Sequence, residues 1–258
     1  MKLSALVLAK NEEEVIEDCL KQLDFVEEIV VLDQDSQDKT VEIAKKYTDK
    51  IIQTRKENFS ENRNTLLKEA IGDWVLYVDC DERINDKLKS EIISCLQSRK
   101  YCAYFFPRKN IILGKWLKHG GWWPDYVPRL FKKKDLIKWQ GDVHESPVVK
   151  EQFGYTKNFL THLTARNISQ MLKKTTKWAQ IEANLKHQAN HPPVNLVRVL
   201  KVMIIEFVNR YIIKLGFLDG LVGLIQAIFQ AFHQAAVLVY LWELQNKTYE
   251  KFLKVKDE

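Results

Sequence analysis

Four short apolar runs, Leu3 to Ala9, Ile29 to Leu32, Ile51-Ile52 and Trp74 to Val78, alternate with stretches whose apolar residues recur every three or four positions. Residues 12–23 put Val15, Ile16, Cys19, Leu20 and Leu23 on one helical face, and Val41, Ala44 and Tyr47 share another behind Asp38, a candidate helix cap. Helices over 60–71 and 84–97 and a strand through Tyr101 to Phe106 continue the pattern. Such alternation predicts an α/β fold, a mostly parallel sheet with helices on both faces joined by right-handed crossovers. No G-x-G-x-x-G follows the first strand and no G-x-x-x-x-G-K occurs anywhere. A phosphate-bearing ligand would therefore have to be held by side chains and metal, without a glycine cradle.

Two of the apolar runs end in acids. Asp33-Gln34-Asp35-Ser36-Gln37-Asp38 follows the second, and Asp79-Cys80-Asp81-Glu82 follows the fourth. Ligands of an open sheet gather outside the carboxyl ends of its strands, and hard cations take oxygen ligands, so paired acids there suit a divalent cation carrying phosphates. Ordinary turns and helix caps are the alternative origin of such acids. Asp33, an acceptor at a strand end, is placed to meet imide or hydroxyl donors of a nucleoside. Arg63 could contact phosphate, brace the second acidic loop, or form a surface ion pair. The formal charge of +6 and pI near 8.9 fit nucleic acid, anionic lipid or a phosphorylated small molecule equally. Cys19, Cys80, Cys95 and Cys102 lack metal-ligand spacing, which reads as a reduced, cytosolic setting. Cys80, flanked by acids, reads as a compact spacer, and the short run before Lys10 as a first strand rather than a secretion signal.

An ordered series of motifs spans residues 1–166: Ala9-Lys10-Asn11-Glu12-Glu13, Asp33 through Thr40, Glu61-Asn62-Arg63-Asn64 before Gly72-Asp73-Trp74, Asp79 to Glu82, Arg129-Leu130-Phe131, and Gly141-Asp142-Val143-His144-Glu145. In order and spacing the series resembles the inverting family 2 glycosyltransferases of the GT-A fold. Within them it is similar to the lipopolysaccharide core beta-1,4-glucosyltransferase subgroup, as are Arg210-Tyr211 and Lys214 to Gly220 in the tail. The resemblance implies a metal-dependent enzyme using a nucleotide-diphosphate sugar, with a UDP-sugar as donor and Mg2+ or Mn2+ as cofactor. It implies that Asp81 coordinates the cation while Asp79 contacts ribose or the metal. Asn11, Glu12, Asp33, Asp35, Arg63 and Arg129 complete the implied donor site. Asp35 stands where a glycine is common, in a turn that calls for positive φ. Glu145 is the implied base, with His144 orienting it and Asp142 as the other acid. In an extended segment Asp142 and His144 would share one face and Glu145 the other.

Between residues 115 and 126, tryptophans are set among glycines and basic residues: Lys115, Trp116, Trp122, Trp123, Asp125 and Tyr126 are the expected acceptor-binding residues. Tryptophan faces stack on sugars and the polar groups address hydroxyls, although some of these rings could simply fill core. No interleaved basic and aromatic repeat supports nucleic acid.

Beyond residue 167 the pattern turns helical, giving 1–166 as a catalytic domain and 167–258 as a helical region for acceptor, membrane or oligomer contacts. Ile168, Leu172, Thr175, Trp178, Ala179, Ile181 and Leu185 mark a basic helix with an apolar stripe, ended by Asn190-His191-Pro192-Pro193. Residues 220–242 contain no Lys, Arg, Asp or Glu, yet Gln226, Gln230 and Gln234 form a polar stripe beside His233. Three amides in lipid are costly, which favours a surface or subunit-facing helix over a spanning one. The expected partners are a nucleotide sugar, a lipid-linked or lipopolysaccharide acceptor and the anionic cytoplasmic face of the inner membrane. A homo-oligomer through the helices is the alternative to membrane contact. A nucleotidyltransferase acting on a sugar phosphate, and an idle membrane-associated scaffold, are the competing functions.

Overall fold

The computed structural model describes residues 1–56, 58–98, 100–141, 145–150 and 152–246. The chain divides into two compact units, one of Met1–Asn110 with Pro124–Thr164, the other of Ile111–Trp123 with the chain from Ala165 on.

The first unit is the α/β sheet that the alternation implies. Strands β1 (Leu3–Ala9), β2 (Glu28–Asp33), β3 (Ile51–Gln53) and β4 (Trp74–Asp79) are parallel, with β1 central between β2 and β4 and β3 outside β2. Their continuous apolar character follows from burial on both faces. One side packs on α1 (Ile16–Lys21), α2 (Thr40–Ala44) and α4 (Asp86–Gln97) through Ile16, Leu20, Ala44, Leu88 and Ile92. The other packs on α3 (Phe59–Glu69) through Leu66 and Leu67, which meet Leu6, Val30 and Tyr77.

After β4 the sheet changes direction. The chain adds β5 (Glu82–Arg83), β6 (Ala103–Ile112), β7 (Lys115–Trp116), β8 (Asp125–Lys132), β9 (Leu136–Gln140), β10 (Ser146–Val149), β11 (Phe153–Tyr155) and β12 (Leu160–Ala165). β8 runs antiparallel to both β4 and β6, and the order is β3-β2-β1-β4-β8-β6-β12-β5. The sheet is thus parallel through β4 and mixed beyond it, where the sequence pattern alone predicts a mostly parallel one. The chain reaches β8 from β4 through β5, α4, β6 and β7 rather than through a single helical crossover, and β8 returns antiparallel. β9 and β10 form a separate two-stranded ribbon.

The second unit is helical: α5 (Ile168–Gln188), α6 (Leu196–Val208) continuing into a π-helical turn at Asn209–Ile213, a 3-10 turn at Gly216–Asp219, and α7 (Gly220–Asn246). Asn167 and Asn195 cap α5 and α6 by accepting from Gln170 N–H and Arg198 N–H. In α5 the buried residues are Met171, Ala179 and Ala183, whereas Ile168, Leu172 and Leu185 lie exposed, so the buried stripe is rotated from the bulky one expected. The reason is α7, whose buried face carries Gly223, Ala227, Ala231 and Ala235 four residues apart. Small faces on both helices allow close approach. Gln226 of the glutamine stripe is buried, Gln230 and Gln234 are half-buried, and His233 Nε2 lies 3.1 Å from Glu182 Oε1 of α5. What α7 exposes is Leu221, Ile228, Phe232, Val239 and Trp242. By length and composition alone, Gly216–Asn246 could cross a membrane. The charged carboxyl-terminal segment from Lys247, with Tyr249, lies outside the described residues.

Gly223 shows how tight the second unit is. A Cβ there would fall 2.0 Å from the Gly216 carbonyl oxygen, a backbone atom that cannot swing aside. Gly223→Ala is expected to cost about 2–3 kcal/mol, the upper part of the overpacking range, read as a lowered midpoint in denaturant. An unchanged midpoint would mean that α7 and the 3-10 turn are not joined this closely.

Candidate active site

The carboxyl ends of β1, β2 and β4 carry three loops. After β1, Asn11 adopts φ +54, and its N–H donates to Ser36 Oγ while its Oδ1 accepts from Gln37 N–H. Glu12 N–H reaches Thr40 Oγ1, and Glu13 exchanges contacts with Asp38 and Lys39. The first two motifs are therefore one structure, each loop satisfying the backbone of the other. Asp35 has φ +58, so the turn takes the conformation that glycine would ease, and Arg55 approaches its carboxylate at 3.5 Å. Asp33 is fully buried. Its Oδ2 accepts from Ser36 N–H at 3.0 Å, and its Oδ1 has no hydrogen-bond partner. A buried carboxylate oxygen without a donor is costly and is the kind of acceptor a ligand completes.

The loop after β4 is held by arginines. Arg63 Nη2 lies 3.3 Å from Asp79 Oδ1, and Arg129 Nη2 pairs with Asp79 Oδ2 while also reaching Glu82 Oε1 at 2.7 Å. Both oxygens of Asp79 are thus occupied by guanidinium groups. Burial works to raise the Asp79 carboxyl, but Arg129, Arg63 and Arg108 outweigh it and hold the group well below the usual carboxylate range. Burial likewise opposes the charge on Arg129, and Asp79 and Glu82 overcome it, so its pKa is raised. Cys80 donates its thiol to the Leu8 carbonyl, and its pKa is pushed well up by Cys19 and by burial, as a spacer rather than a nucleophile requires.

Asp81 faces a residue that the motifs do not single out. His162 of β12 places Nε2 3.3 Å from Asp81 Oδ2. Its Nδ1 is 2.7 Å from Asn110 Oδ1, and the Asn110 amide nitrogen donates to Asp125 Oδ2 at 3.0 Å. That orientation makes the asparagine oxygen an acceptor and puts the imidazole proton on Nδ1, which turns Nε2 toward Asp81. Asp125, expected among the acceptor-binding groups, is engaged by Arg108 at 2.7 Å and by Asn110. A histidine 81 residues beyond its partner carries no local signal, and only the β12–β5 pairing, with His162 opposite Glu82, brings it in.

The Glu61-Asn62-Arg63-Asn64 motif of α3 resolves into separate tasks. Asn62 donates to the Lys56 carbonyl, and Asn64 both donates to and accepts from the Trp139 backbone, tying β9 to the helix. Arg63 lies with its guanidinium 4.9 Å from the Trp139 ring centre and reaches Glu145 Oε1 at 3.1 Å through Nε. One arginine therefore links Glu145 to Asp79. Asp142 and His144 lie outside the described residues. Tyr126 packs edge-on against Tyr155. Lys115, Trp116, Trp122 and Trp123 belong to the helical unit, where Trp116 stacks edge-on with Trp123 and lies under Lys118.

Asp81 and His162 bring one carboxylate and one imidazole together. Among the described residues no three His, Cys, Asp or Glu side chains are grouped to hold a metal ion. A cation held there would take one oxygen and one nitrogen from the protein and the rest from its nucleotide's phosphates, a mixed set that accommodates Mn2+ more readily than the oxygen-preferring Mg2+.

The chain matches the family described as Glycosyl transferase family 2 over residues 4–148. It is 30% identical over 151 residues to a TPR repeat-containing protein of Synechococcus elongatus, covering 56% of this chain and 35% of that relative, so it spans only about a third of the relative's length. An uncharacterized glycosyltransferase of Rickettsia bellii is 26% identical over 272 residues, covering 94% of this chain and 87% of the relative. Among solved structures, S. aureus TarS 1-349 matches with a TM-score of 0.46 and 15% identity, covering 97% of this chain and 92% of that one.

The arginine cluster makes a measurable claim about stability. Arg129→Met leaves Asp79 and buried Glu82 without their shared cation and should destabilise the fold by about 3–5 kcal/mol at neutral pH. Because the Asp79 pKa is depressed in the folded state, its contribution is present above the ordinary carboxylate pKa of about 3.9 and is lost as pH falls below it. The gap between wild type and variant should therefore narrow on acidification. Denaturant titrations at several pH values would refute the clamp if the gap were absent or grew.

Proposed function

The chain belongs to glycosyltransferase family 2, and from that premise we propose an inverting enzyme moving a hexose, glucose in the first instance, from a UDP-sugar to a cell-envelope glycan such as the lipopolysaccharide core. Transfer of a sugar from a nucleotide-sugar donor is the family's activity. The finer reading is carried by Arg63, which joins Glu145 to the acidic loop at the end of β4. This link sets a carboxylate beside the loop expected to meet the donor diphosphate.

In this reading Asp33 and Asn11 receive the nucleoside, and the free acceptor oxygen of Asp33 takes a ribose hydroxyl or uracil N–H. Asp81 and His162 would hold Mg2+ or Mn2+, which would supply positive charge to the departing diphosphate. Asp79, whose two oxygens are taken by Arg63 and Arg129, shapes the loop rather than contacting ribose directly. The acceptor oxygen attacks the anomeric carbon as the bond to the diphosphate breaks on the opposite face, and the hydroxyl proton passes to Glu145. Arg63 fixes Glu145 through Oε1, which leaves Oε2 for that proton. Asp142 and His144 flank the base as second acid and orienting group. In the α/β unit Tyr126 offers a surface for the acceptor sugar. The exposed apolar residues of the helical region would suit contact with the cytoplasmic face of the inner membrane, where a lipid-linked acceptor would be found. Pairing of two copies through the same helices is the competing arrangement.

Two substitutions separate the roles. Glu145→Gln keeps size and should retain donor affinity while turnover falls about 10²–10⁴-fold, the usual worth of a general base. Residual turnover close to wild type in the folded variant would move the base to another acid. Asp81→Asn should weaken the cation-dependent part of UDP binding by at least about 10-fold, the lower cost of disturbing a metal's surroundings. Calorimetry with and without manganese reads this directly, and an unchanged cation dependence would remove Asp81 from the cation.

A further inference from the structure

The helical unit contains a convergence of cations that the donor site does not use. Gly120 and Gly121 have φ +65 and +81, a left-handed pair that side-chain-bearing residues rarely adopt. The point where a Cβ of residue 121 would sit is 3.2 Å from Lys214 Nζ and 3.3 Å from Arg210 Nη1, so the ammonium and the guanidinium meet over this loop. Backbone contacts lock the arrangement: Gly120 N–H donates to the Lys214 carbonyl at 2.8 Å, and Arg210 Nη1 donates to the Gly120 carbonyl at 3.0 Å. Arg210 and Lys214 themselves sit at and just after the π-helical turn, an irregularity frequent at functional positions.

The nearby acids neutralise the cluster only in part. Glu206 takes Arg210 Nε at 2.8 Å, and Asp219 is saturated by the Lys118 and His119 N–H groups and by the His119 ring. Among the described residues Lys214 has no carboxylate partner. Arg210, Gly120, His119 and Asp219 line a small cavity together with Gln226, which is 6% exposed and whose Oε1 has no donor. A buried amide oxygen without a partner points to a polar group missing from this recess. Two convergent cations with an adjacent open acceptor suit a phosphate and a neighbouring hydroxyl.

The same turn is flanked by apolar side chains that no described residue covers: Ile212, Ile213, Leu215, Phe217, Leu218 and Leu221 are all more than a third exposed. Charge is partitioned in the same sense. Residues 165–246 carry nine Lys and Arg against four Asp and Glu, and residues 111–123 add two lysines and no acid, whereas residues 1–110 and 124–164 carry 25 against 27. An apolar platform beside a cationic loop, on a basic unit, is complementary to an anionic phospholipid. We propose that the Gly120–Gly121 loop with Arg210 and Lys214 binds the phosphate headgroup of an anionic lipid, whose acyl region meets Ile213, Phe217 and Leu218. The proposal rests on the membrane placement above and concerns the helical unit alone, so transfer to a soluble acceptor can succeed whether or not it holds.

The test is vesicle flotation of the full chain with phosphatidylcholine alone and with phosphatidylcholine containing phosphatidic acid, alongside calorimetry with inorganic phosphate. Wild type should float with the phosphatidic acid vesicles. Lys214→Gln, at an exposed position, should lower that partitioning about fivefold, the effect of one basic residue at a charged surface, and Lys214→Arg should retain it. Ile213→Ser combined with Leu218→Ser should lower floating further while circular dichroism stays unchanged. Lys177→Gln, an exposed lysine of α5, should have less effect than Lys214→Gln. Equal losses from the two lysine variants would overturn the site in favour of diffuse charge. Inorganic phosphate binding without flotation would make it a site for free phosphate. Absence of flotation with a dimer that Ile213→Ser and Leu218→Ser disrupt would make the face a subunit interface.

Discussion

The catalytic unit depends on Arg129 being buried between Asp79 and Glu82. A guanidinium from β8 crosses to the loop after β4 and satisfies a fully buried glutamate together with the first acid of the Asp-Cys-Asp sequence. Glu82 in turn accepts from the Asp79 N–H at 3.1 Å, which closes the turn on itself. Breaking a buried ion pair by removing one partner is expensive, so the three charges act as one object. Its consequence is positional. With Asp79 spoken for, Asp81 is the acid of the loop that faces His162.

Glu145 is located through the same object. Arg63 spends its guanidinium on Asp79 and Glu145 while its plane lies over Trp139, and Asn64 clips β9 to α3 one residue further on. The ribbon that ends in Glu145 is thereby referenced to the acidic loop by side chains of successive residues in one helix. Arginine suits this role because its planar fork can address two carboxylates and an aromatic face at once. A lysine at 63 would offer one point charge and lose the stacking.

The legible parts of this protein were those with local periodicity or a strand-end position. The strands through β4, their helices and the acidic loops all have such signals, and even the positive φ at Asp35 was foreseeable from the demands of its turn. The antiparallel half was not. β8, β6 and β12 are joined by pairings between residues far apart in sequence, and runs such as Ala103–Ile112 do not announce their partner's direction. The same blindness hid His162 and the employment of Asp125 by Arg108 and Asn110. The apolar stripe of α5 was legible, but not which part of it would be buried. Ala179 of that stripe and Ala183 are buried, where α7 presents its own small residues, and Ile168, Leu172 and Leu185 are exposed.

That exchange of large for small explains why the helical unit is apolar outside. A helix pair that meets through Gly223, Ala227, Ala231 and Ala235 buries little side-chain area per residue, and its leucines, isoleucines and phenylalanines must go elsewhere. In a helix committed only to water they would be a solubility liability. Here they sit on an unusually cationic stretch of chain, while Gln226 is buried, Gln230 and Gln234 are half-buried and His233 meets Glu182. The helical unit still keeps Val237, Leu238 and Leu241 inside, so its apolar exterior comes in addition to an apolar core. That exterior, beside the cations around Gly120 and Gly121, is what the proposed lipid contact would cover.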